Sequence, residues 1–364
     1  MPFDRGTVTF TIFELPEALP ENVIELFAAR KAGTLDSVND EPQIGWVTGQ
    51  HLLDTSIDAA SAQAGGCYYL ALRQAVRKIP GSLLNALCRR EEQAYMKANN
   101  LEYVSGKLKR QIKEETVEKH IQKMPPSLSG ITFVIEPNRK LMYVAATSQA
   151  QIDLFVDNFM QTTGIEPLQL TPEYILEKEL NRLAVDVPIL SLEKGVSYTE
   201  AHLGRDFLLY LWYYSESVGE LEHPEYGSFD VLIEGPLCFE GDGEDRGAGE
   251  TVVRKGESPL RSAEAKAALS VGKKLKKAKF SLTRLNQVWS GTFDADKFSF
   301  SSFKLPEGEQ MNDFEIFAER IENLGIFRDA IVAYFVKFAE AMNKENFENT
   351  RKAICEWAEK RESV

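Results

Sequence analysis

The sequence predicts an α+β protein with mixed sheets, an inserted helical tip and a mixed α/β C-terminal base domain. Alternating, β-branched runs in the first half predict strands, a charged helical stretch interrupts them, and a long helical pattern ends the chain. Strands and helices follow one another in blocks, which is typical of α+β proteins. A length of 364 residues with 43% hydrophobic side chains is enough for two or three domains.

The first half combines strand and helix patterns in a fixed order. The run TVTFTIFE at 7–14 alternates as a strand does, and a short amphipathic helix is expected after Pro20. Strand patterns recur at 44–47 and along CYYLALRQAV at 67–76. A hairpin follows at 131–135 and 140–146, and then a helix at 149–162. We expect these segments, within 1–78 and 128–170, to form a central sheet domain.

Residues 79–127 are predicted to form a helical tip inserted into that sheet domain. Pro80-Gly81 interrupts the strand pattern and begins a helix that runs to Asn99. A second helix is expected from Ser105 to about Met124, where Pro125-Pro126 ends it.

The second half, 171–364, is predicted to be a C-terminal base domain that begins after Thr171-Pro172. The aromatic segment at 205–215 fits a helix or a strand equally well. Strands are expected at 229–239 and 250–255, on either side of the acidic turn GDGEDRGAGE. We expect a helix at 262–278, strands in KFSLTRL and DKFSFSSFKL, and helix from 313 almost to the end.

Charge is distributed unevenly along the chain. The net charge is −13, and the successive segments 1–170, 171–249, 250–305 and 306–364 carry net charges of −3, −12, +7 and −5. A basic surface of this kind can bind phosphates while acidic surfaces elsewhere keep the protein soluble. The alternative is a mixed, solvated surface without a binding role.

Basic residues form two arrays. On the expected helix at 105–124, Lys109, Lys113, Thr116, His120 and Lys123 fall within a stripe of about 80°, opposite three glutamates. Such a stripe can follow a phosphate backbone but cannot read bases, and it can equally face water. The second array is predicted on the exposed arc of the 262–278 helix. Together with basic pairs near the tip, the DNA-binding candidates are Arg77, Lys78, Arg89, Arg90, Lys109, Lys113, Lys123, Lys266, Lys273, Lys274, Lys276 and Lys277.

Catalytic and metal-binding patterns are weak. The four histidines have no metal-ligand spacing, and neither a phosphate-binding GxxxxGK[ST] loop nor a GxSxG elbow occurs. The carboxylates Glu240, Asp242, Glu244 and Asp245 could bind Mg²⁺ for nuclease chemistry, but one glycine-rich turn carries them all, which favours a solvated loop. The sequence therefore predicts a protein that is not an enzyme and needs no cofactor.

The cellular location is predicted from the absence of secretory and membrane-spanning patterns. The N-terminus shows no secretory pattern, and no apolar run is long enough to cross a membrane. The four cysteines are widely separated, as expected of reduced thiols. We therefore expect a cytoplasmic protein without a membrane partner.

Segment 44–170 contains a specific succession of motifs, which are IGWV, CYYLALRQAVRKIP, SLLNALCRREEQA, KLKRQIKEETVEKHIQKMPP, ITFVIEPNRKLMYVAATS and QIDLFVDNFMQTTG, followed by PLQL. In this order of motifs the segment resembles the RdgC family of bacterial recombination-associated proteins. The sequence departs from the family in IQKMPPSLSG after the tip and in a longer, aromatic C-terminal half.

This resemblance implies a nucleoid-associated protein that binds double-stranded DNA with little sequence preference. It also implies a ring-shaped homodimer around the duplex, closed at one end by the helical tip, that restrains RecA during recombination. Two alternatives stay open, namely a Mg²⁺-dependent exonuclease and a protein-interaction scaffold whose basic arrays bind an acidic partner.

Overall fold

A computed structural model describes residues 2–192, 202–241, 249–254, 259–308 and 312–360. Its strands, in chain order, are β1 (Val8–Glu14), β2 (Gln43–Thr48), β3 (Gln63–Ala64), β4 (Cys67–Val76), β5 (Ser127–Glu136), β6 (Leu141–Val144), β7 (Leu168–Gln169), β8 (Leu221–His223), β9 (Gly227–Glu240), β10 (Glu250–Val253), β11 (Lys274–Arg284), β12 (Gln287–Asp294) and β13 (Ser299–Lys304). Its longer helices are α1 (Val23–Ala29), α2 (Ala59–Ala62), α3 (Gly81–Asn99), α4 (Gly106–Ile121), α5 (Gln149–Thr163), α6 (Pro172–Leu180), α7 (Leu203–Ser217), α8 (Ala263–Ser270), α9 (Asp313–Ala341) and α10 (Phe347–Lys360). The protein therefore has an α+β fold, as predicted.

The chain divides into two compact units. Unit 1 consists of Met1–Leu19, Ala64–Tyr68 and Phe133–Val364, and unit 2 consists of Pro20–Gln63 and Tyr69–Thr132. The predicted division into sheet domain, tip and base domain stays a prediction.

Unit 1 is built on an antiparallel sheet whose strands follow the order β10-β9-β11-β12-β13-β1-β6. The last residues of β5 pair with β6, Phe133 opposite Val144. Strand β11 is central, because Phe280 lies opposite Ile233 of β9 on one side and Gly291 of β12 on the other. This pairing places the lysine-rich segment of the sequence inside a sheet.

An aromatic core fills one side of that sheet. Phe10, Phe300 and Phe303 on neighbouring strands contact Phe327 of α9, whose ring centroid lies 4.8 Å from that of Phe300. Helix α7 packs against β9, β11 and α9, and Phe207 meets Phe335 at 5.1 Å. Contacts on several sides explain why α7 is apolar around most of its circumference, which left its type ambiguous in the sequence.

The expected helix at 262–278 is wrong beyond its first half. Ser262 caps α8 by accepting a hydrogen bond from the Ala265 N–H, but the helix ends before Gly272, whose φ is +76°. From Lys274 onward the chain is strand β11, because pairing with β9 and β12 satisfies its backbone. Strand β12 and helix α6 were also not predicted from the sequence.

Unit 2 contains a small antiparallel pair and two long helices. Strands β2 and β4 pair from Gln43–Ala75 to Thr48–Leu70, and the indole of Trp46 packs edge-on against Phe27 of α1 at 5.0 Å. Helices α3 and α4 confirm the two predicted helices between 81 and 124, and α3 has no buried residue. Among the described residues, no helix is both long and apolar enough to cross a membrane.

Candidate nucleic-acid interface

Helices α3 and α4 form a pair in unit 2 whose surface is rich in cations. The Ser105 hydroxyl caps α4 by accepting a hydrogen bond from the Leu108 N–H, and α3 ends at Asn100 in the left-handed conformation. The packed side of α4 consists of Ile112, Thr116 and Ile121, which are all buried. The remaining arc of the helix is left for charged side chains.

The predicted basic stripe on α4 is not one continuous exposed surface. Lys109, Lys113 and Lys123 are exposed, but Thr116 is buried and donates its hydroxyl to the Ile112 carbonyl oxygen at 2.6 Å. His120 is half-buried, and loss of hydration together with neighbouring lysines lowers its pKa, so that it is neutral at pH 7. The three lysines therefore border the packed face.

A wider set of cations surrounds these three. Residues 78–123 contain ten Lys or Arg and six Asp or Glu, and each of the ten basic side chains is exposed. They are Lys78, Arg89, Arg90, Lys97, Lys107, Lys109, Arg110, Lys113, Lys119 and Lys123. Sequence reasoning missed Lys97, Lys107, Arg110 and Lys119 because it searched for a stripe. A count of all cations on the two helices would have found them.

Few of these cations are engaged by acidic side chains. Arg90 and Lys119 both contact Glu91, at 3.2 and 3.6 Å, and Arg110 contacts Glu114 at 3.2 Å. The ammonium groups of Lys109, Lys113 and Lys123 make no ion pair within the part of the chain that the structure describes. Exposed ion pairs contribute little free energy and are easily exchanged, so all ten cations are available to an external anion.

Arg77 does not belong to this exposed set. Its side chain is buried, and its guanidinium donates hydrogen bonds to the carbonyl oxygens of Val38 (2.8 Å), Leu35 (3.1 Å), Gln122 (3.1 Å) and Met124. These four acceptors lie in two distant segments of unit 2, which the guanidinium links. Its neighbour Lys78, by contrast, is exposed.

The lysines at the start of β11 are not on an exposed arc, and that expectation is wrong. Lys273 is buried and donates a hydrogen bond to the Thr251 hydroxyl at 2.7 Å. Lys274 is buried as well, and its Nζ lies 2.8 Å from Oδ1 of Asp206 on α7. In the expected helix these lysines would have faced solvent, whereas β11 lies between β9 and β12 and brings Lys274 against Asp206 of α7.

The other lysines of this strand also have acidic partners. Lys277 pairs with Asp294 at 2.9 Å and Lys279 with Glu234 at 2.6 Å. Lys276 contacts Glu240 and Asp296, and its hydrogen bond to Glu240 raises its pKa. Lys266 on α8 is half-buried and also has an interaction partner. The lysines of β11 are thus paired with carboxylates of the acidic segment before it and of the basic segment itself.

No metal centre is found among the residues that the structure describes. These residues contain no group of three or more His, Cys, Asp or Glu side chains arranged to hold an ion. Asp242, Glu244 and Asp245 of the acidic turn lie outside the described residues, and Glu240 is engaged by Arg205 and Lys276. All four cysteines are free, and burial raises the pKa of Cys67 and of Cys238 to about 12, so both are protonated at neutral pH.

The first half of the chain matches a known family. The family described as "Putative exonuclease, RdgC" matches residues 11–180. Residues 11–180 belong to the RdgC family. The match extends from β1 to α6, so the helical pair with its ten cations lies within the RdgC region. Comparison with curated proteins finds no match.

Proposed function

We propose that this RdgC-family protein binds double-stranded DNA through its phosphates, without sequence preference. The observation that carries the proposal is the set of ten exposed cations on α3, α4 and their flanks, within the family region of a protein whose net charge is −13. We further propose that it acts as a homodimer enclosing the duplex and modulates RecA-type recombination at the nucleoid, as its family suggests.

The cations of the helical pair are better suited to contacts with the phosphate backbone of DNA than to contacts with its bases. Its cations are distributed over two helices, and sequence reading needs side chains matched to individual base edges. Helix α4 has 16 residues and extends about 24 Å, or about seven base pairs of duplex. Each lysine that neutralises a phosphate releases counterions, so the affinity should fall steeply with salt.

Self-association is supported by apolar side chains on the same pair. Leu83 and Tyr95 on α3 are 39% and 38% exposed, and Tyr103, which precedes α4, is 78% exposed. Exposed apolar side chains of this kind are available for contact with a partner. A second copy of the chain is the partner that the family resemblance favours.

Binding to a short fluorescent duplex across a salt series tests the proposal. The test variant replaces Lys109, Lys113 and Lys123 with Ala, and the control replaces Lys344, Lys352 and Lys360, three exposed lysines of unit 1. We expect the test variant to bind more weakly, with the slope of log K against log salt shallower by up to about 2.7, while the control keeps most of the affinity. Absence of wild-type binding at low salt would overturn the proposal and leave the scaffold interpretation.

The same duplex tests nuclease activity. We expect end-labelled DNA to stay intact during incubation with the protein and Mg²⁺, since we propose binding without a chemical step. Degradation that is lost in an Asp242→Ala, Glu244→Ala variant would instead support the exonuclease description of the family.

A further inference from the structure

One face of the unit 1 sheet is open to solvent at β9–β12. Along β9, the buried Val231 and Ile233 alternate with Leu232, which is 50% exposed. The buried set lies on the face that α7 covers, since α7 packs against β9 and β11. The opposite, open face of the sheet carries the side chains that alternate with the buried ones, such as Leu232.

A pocket of about 620 Å³ lies on the four strands β9–β12. Four cations line it, namely Arg254, Lys276, Lys277 and Lys297, together with the carboxylates Glu250 and Asp294. Cavities of this size commonly hold small-molecule ligands. The lining has two more positive than negative side chains, although the chain as a whole is acidic.

Two of the four cations are not engaged by an acid. Lys277 pairs with Asp294, and Lys276 with Glu240 and Asp296. Neither the Arg254 guanidinium nor the Lys297 ammonium makes an ion pair within the described part of the chain, and both residues are exposed. Glu250 accepts a hydrogen bond from the thiol of Cys238, another residue of the lining, at 2.9 Å. The pocket therefore offers two cations to an incoming anion.

We propose that this pocket binds the terminal phosphate monoester of a nucleotide, with the phosphate at Arg254 and Lys297. A monoester carries a charge of about −1.5 to −2, whereas each internal diester carries −1, so two cations that no described carboxylate engages favour the terminal group. The sugar and base would lie against the exposed apolar residues of the lining, Pro236 and Val252. The ligand is either a free nucleoside monophosphate or the end of a DNA strand, and the second case rests on the proposed DNA binding.

Three probes distinguish these sources. They are a short duplex with 5′-phosphate ends, the same duplex with 5′-hydroxyl ends, and free deoxyadenosine monophosphate. For a DNA end, we expect the wild type to bind the phosphorylated duplex about tenfold more tightly than the hydroxyl duplex. The variant Arg254→Ala, Lys297→Ala should lose this preference and keep its affinity for the hydroxyl duplex. For a free nucleotide, the monophosphate would bind, the two duplexes would bind equally well, and the variant would abolish binding of the monophosphate.

Matched variants separate this proposal from the general DNA-binding proposal. Lys344→Ala, Lys352→Ala removes the same charge from exposed positions and should keep the end preference. The Lys109, Lys113, Lys123 variant should weaken binding to both duplexes equally and keep their ratio. If the wild type shows no end preference and does not bind the monophosphate, the pocket proposal fails even where duplex binding holds. The pocket proposal also fails if the Arg254→Ala, Lys297→Ala variant keeps the end preference or still binds the monophosphate.

Discussion

Lys274 and Asp206 form an ion pair inside unit 1, with Nζ and Oδ1 2.8 Å apart and side chains that are 3% and 0% exposed. Asp206 also accepts a hydrogen bond from the Leu190 N–H at 3.2 Å. The pair joins α7 to β11, and thus links the acidic segment of the sequence to the basic one. Lys274, which was expected on the solvent-facing arc of a helix, thus forms a buried contact with Asp206.

Replacing Lys274 with Ala should strongly destabilise the protein, because it leaves the Asp206 carboxylate buried without its cation. We expect the free energy of unfolding to fall by about 3–5 kcal/mol in urea titrations. Lys279→Ala is the control, since its pair with Glu234 is 42% and 34% exposed and should contribute about 0–1 kcal/mol. The double variant Lys274→Met, Asp206→Leu should recover most of the loss. Equal effects of the two single alanine variants would contradict a buried pair.

Arg77 should contribute to stability and not to DNA binding. Replacing it with Ala leaves four carbonyl oxygens of unit 2 without their donor, at an expected loss of about 2–4 kcal/mol in urea unfolding. Lys78→Ala, one residue along the chain and exposed, should leave stability unchanged and weaken duplex binding. The opposite result, in which Arg77→Ala is as stable as wild type but binds DNA more weakly, would show that the guanidinium binds DNA phosphates.

Glu14 should make stability depend on pH in the acid range. Burial alone would raise its pKa, but the hydrogen bond from Lys178, the charge of Arg328 and the Tyr174 hydroxyl together lower the pKa below its ordinary value of 4.5. A folded-state pKa below the unfolded one stabilises the protein above pH 4.5, and this stabilisation is lost as the pH falls through the folded value.

Urea titrations of Glu14→Gln at several pH values check this expectation. The variant should be less stable than wild type at pH 7, and the difference should narrow as the pH falls below about 4.5. Glu17→Gln, an exposed position nearby, should show no such trend. A difference between Glu14→Gln and wild type that stays constant down to pH 3 would mean that the carboxylate is not held by these partners.

Gly204 marks a close approach of α7 to the chain beside it. A Cβ at this position would lie 2.0 Å from the Ala295 carbonyl oxygen, so Gly204→Ala must displace backbone. We expect a loss of about 1–3 kcal/mol, measured as a lower melting temperature. Gly106→Ala, at the start of α4 with no atom within 4 Å, should be neutral or slightly stabilising. Similar melting temperatures for the two variants would show that the backbone at Ala295 yields easily.

Much of the first half could be predicted because its signals are local. The strand at 67–76 agrees with β4, and the prolines and the Ser105 cap define α3 and α4 to within a few residues. The exposure of the ten cations on α3, α4 and their flanks also follows from local composition, since charged and polar residues lie on most sides of α3 and none of its residues is buried. Hydrophobic periodicity, capping residues and prolines influence the structure of the few residues around them. They can therefore be recognised in the sequence without knowledge of tertiary contacts.

The candidate site could be predicted only in part, because burial depends on distant partners. Arg77 appeared to be one of a basic pair, but its acceptors lie about 40 residues away in both directions along the chain. Arg254 and Lys297 were not among the predicted residues, because the pocket that joins them exists only when β10 and β12 lie in the same sheet.

The sequence by itself determined the α+β class, the helical pair with its cations and the separation of acidic from basic segments. Only the tertiary structure decided that strand β11 begins at Lys274, within the segment predicted as helix, and that its lysines are paired with acids from α7, β9 and the end of β12. The physical reason is that the apolar spacing at 267, 271, 275 and 278 also suits a helix. Pairing with β9 and β12 satisfies the backbone of β11 on both sides and buries Leu275, Ala278 and Phe280, which outweighs the local preference.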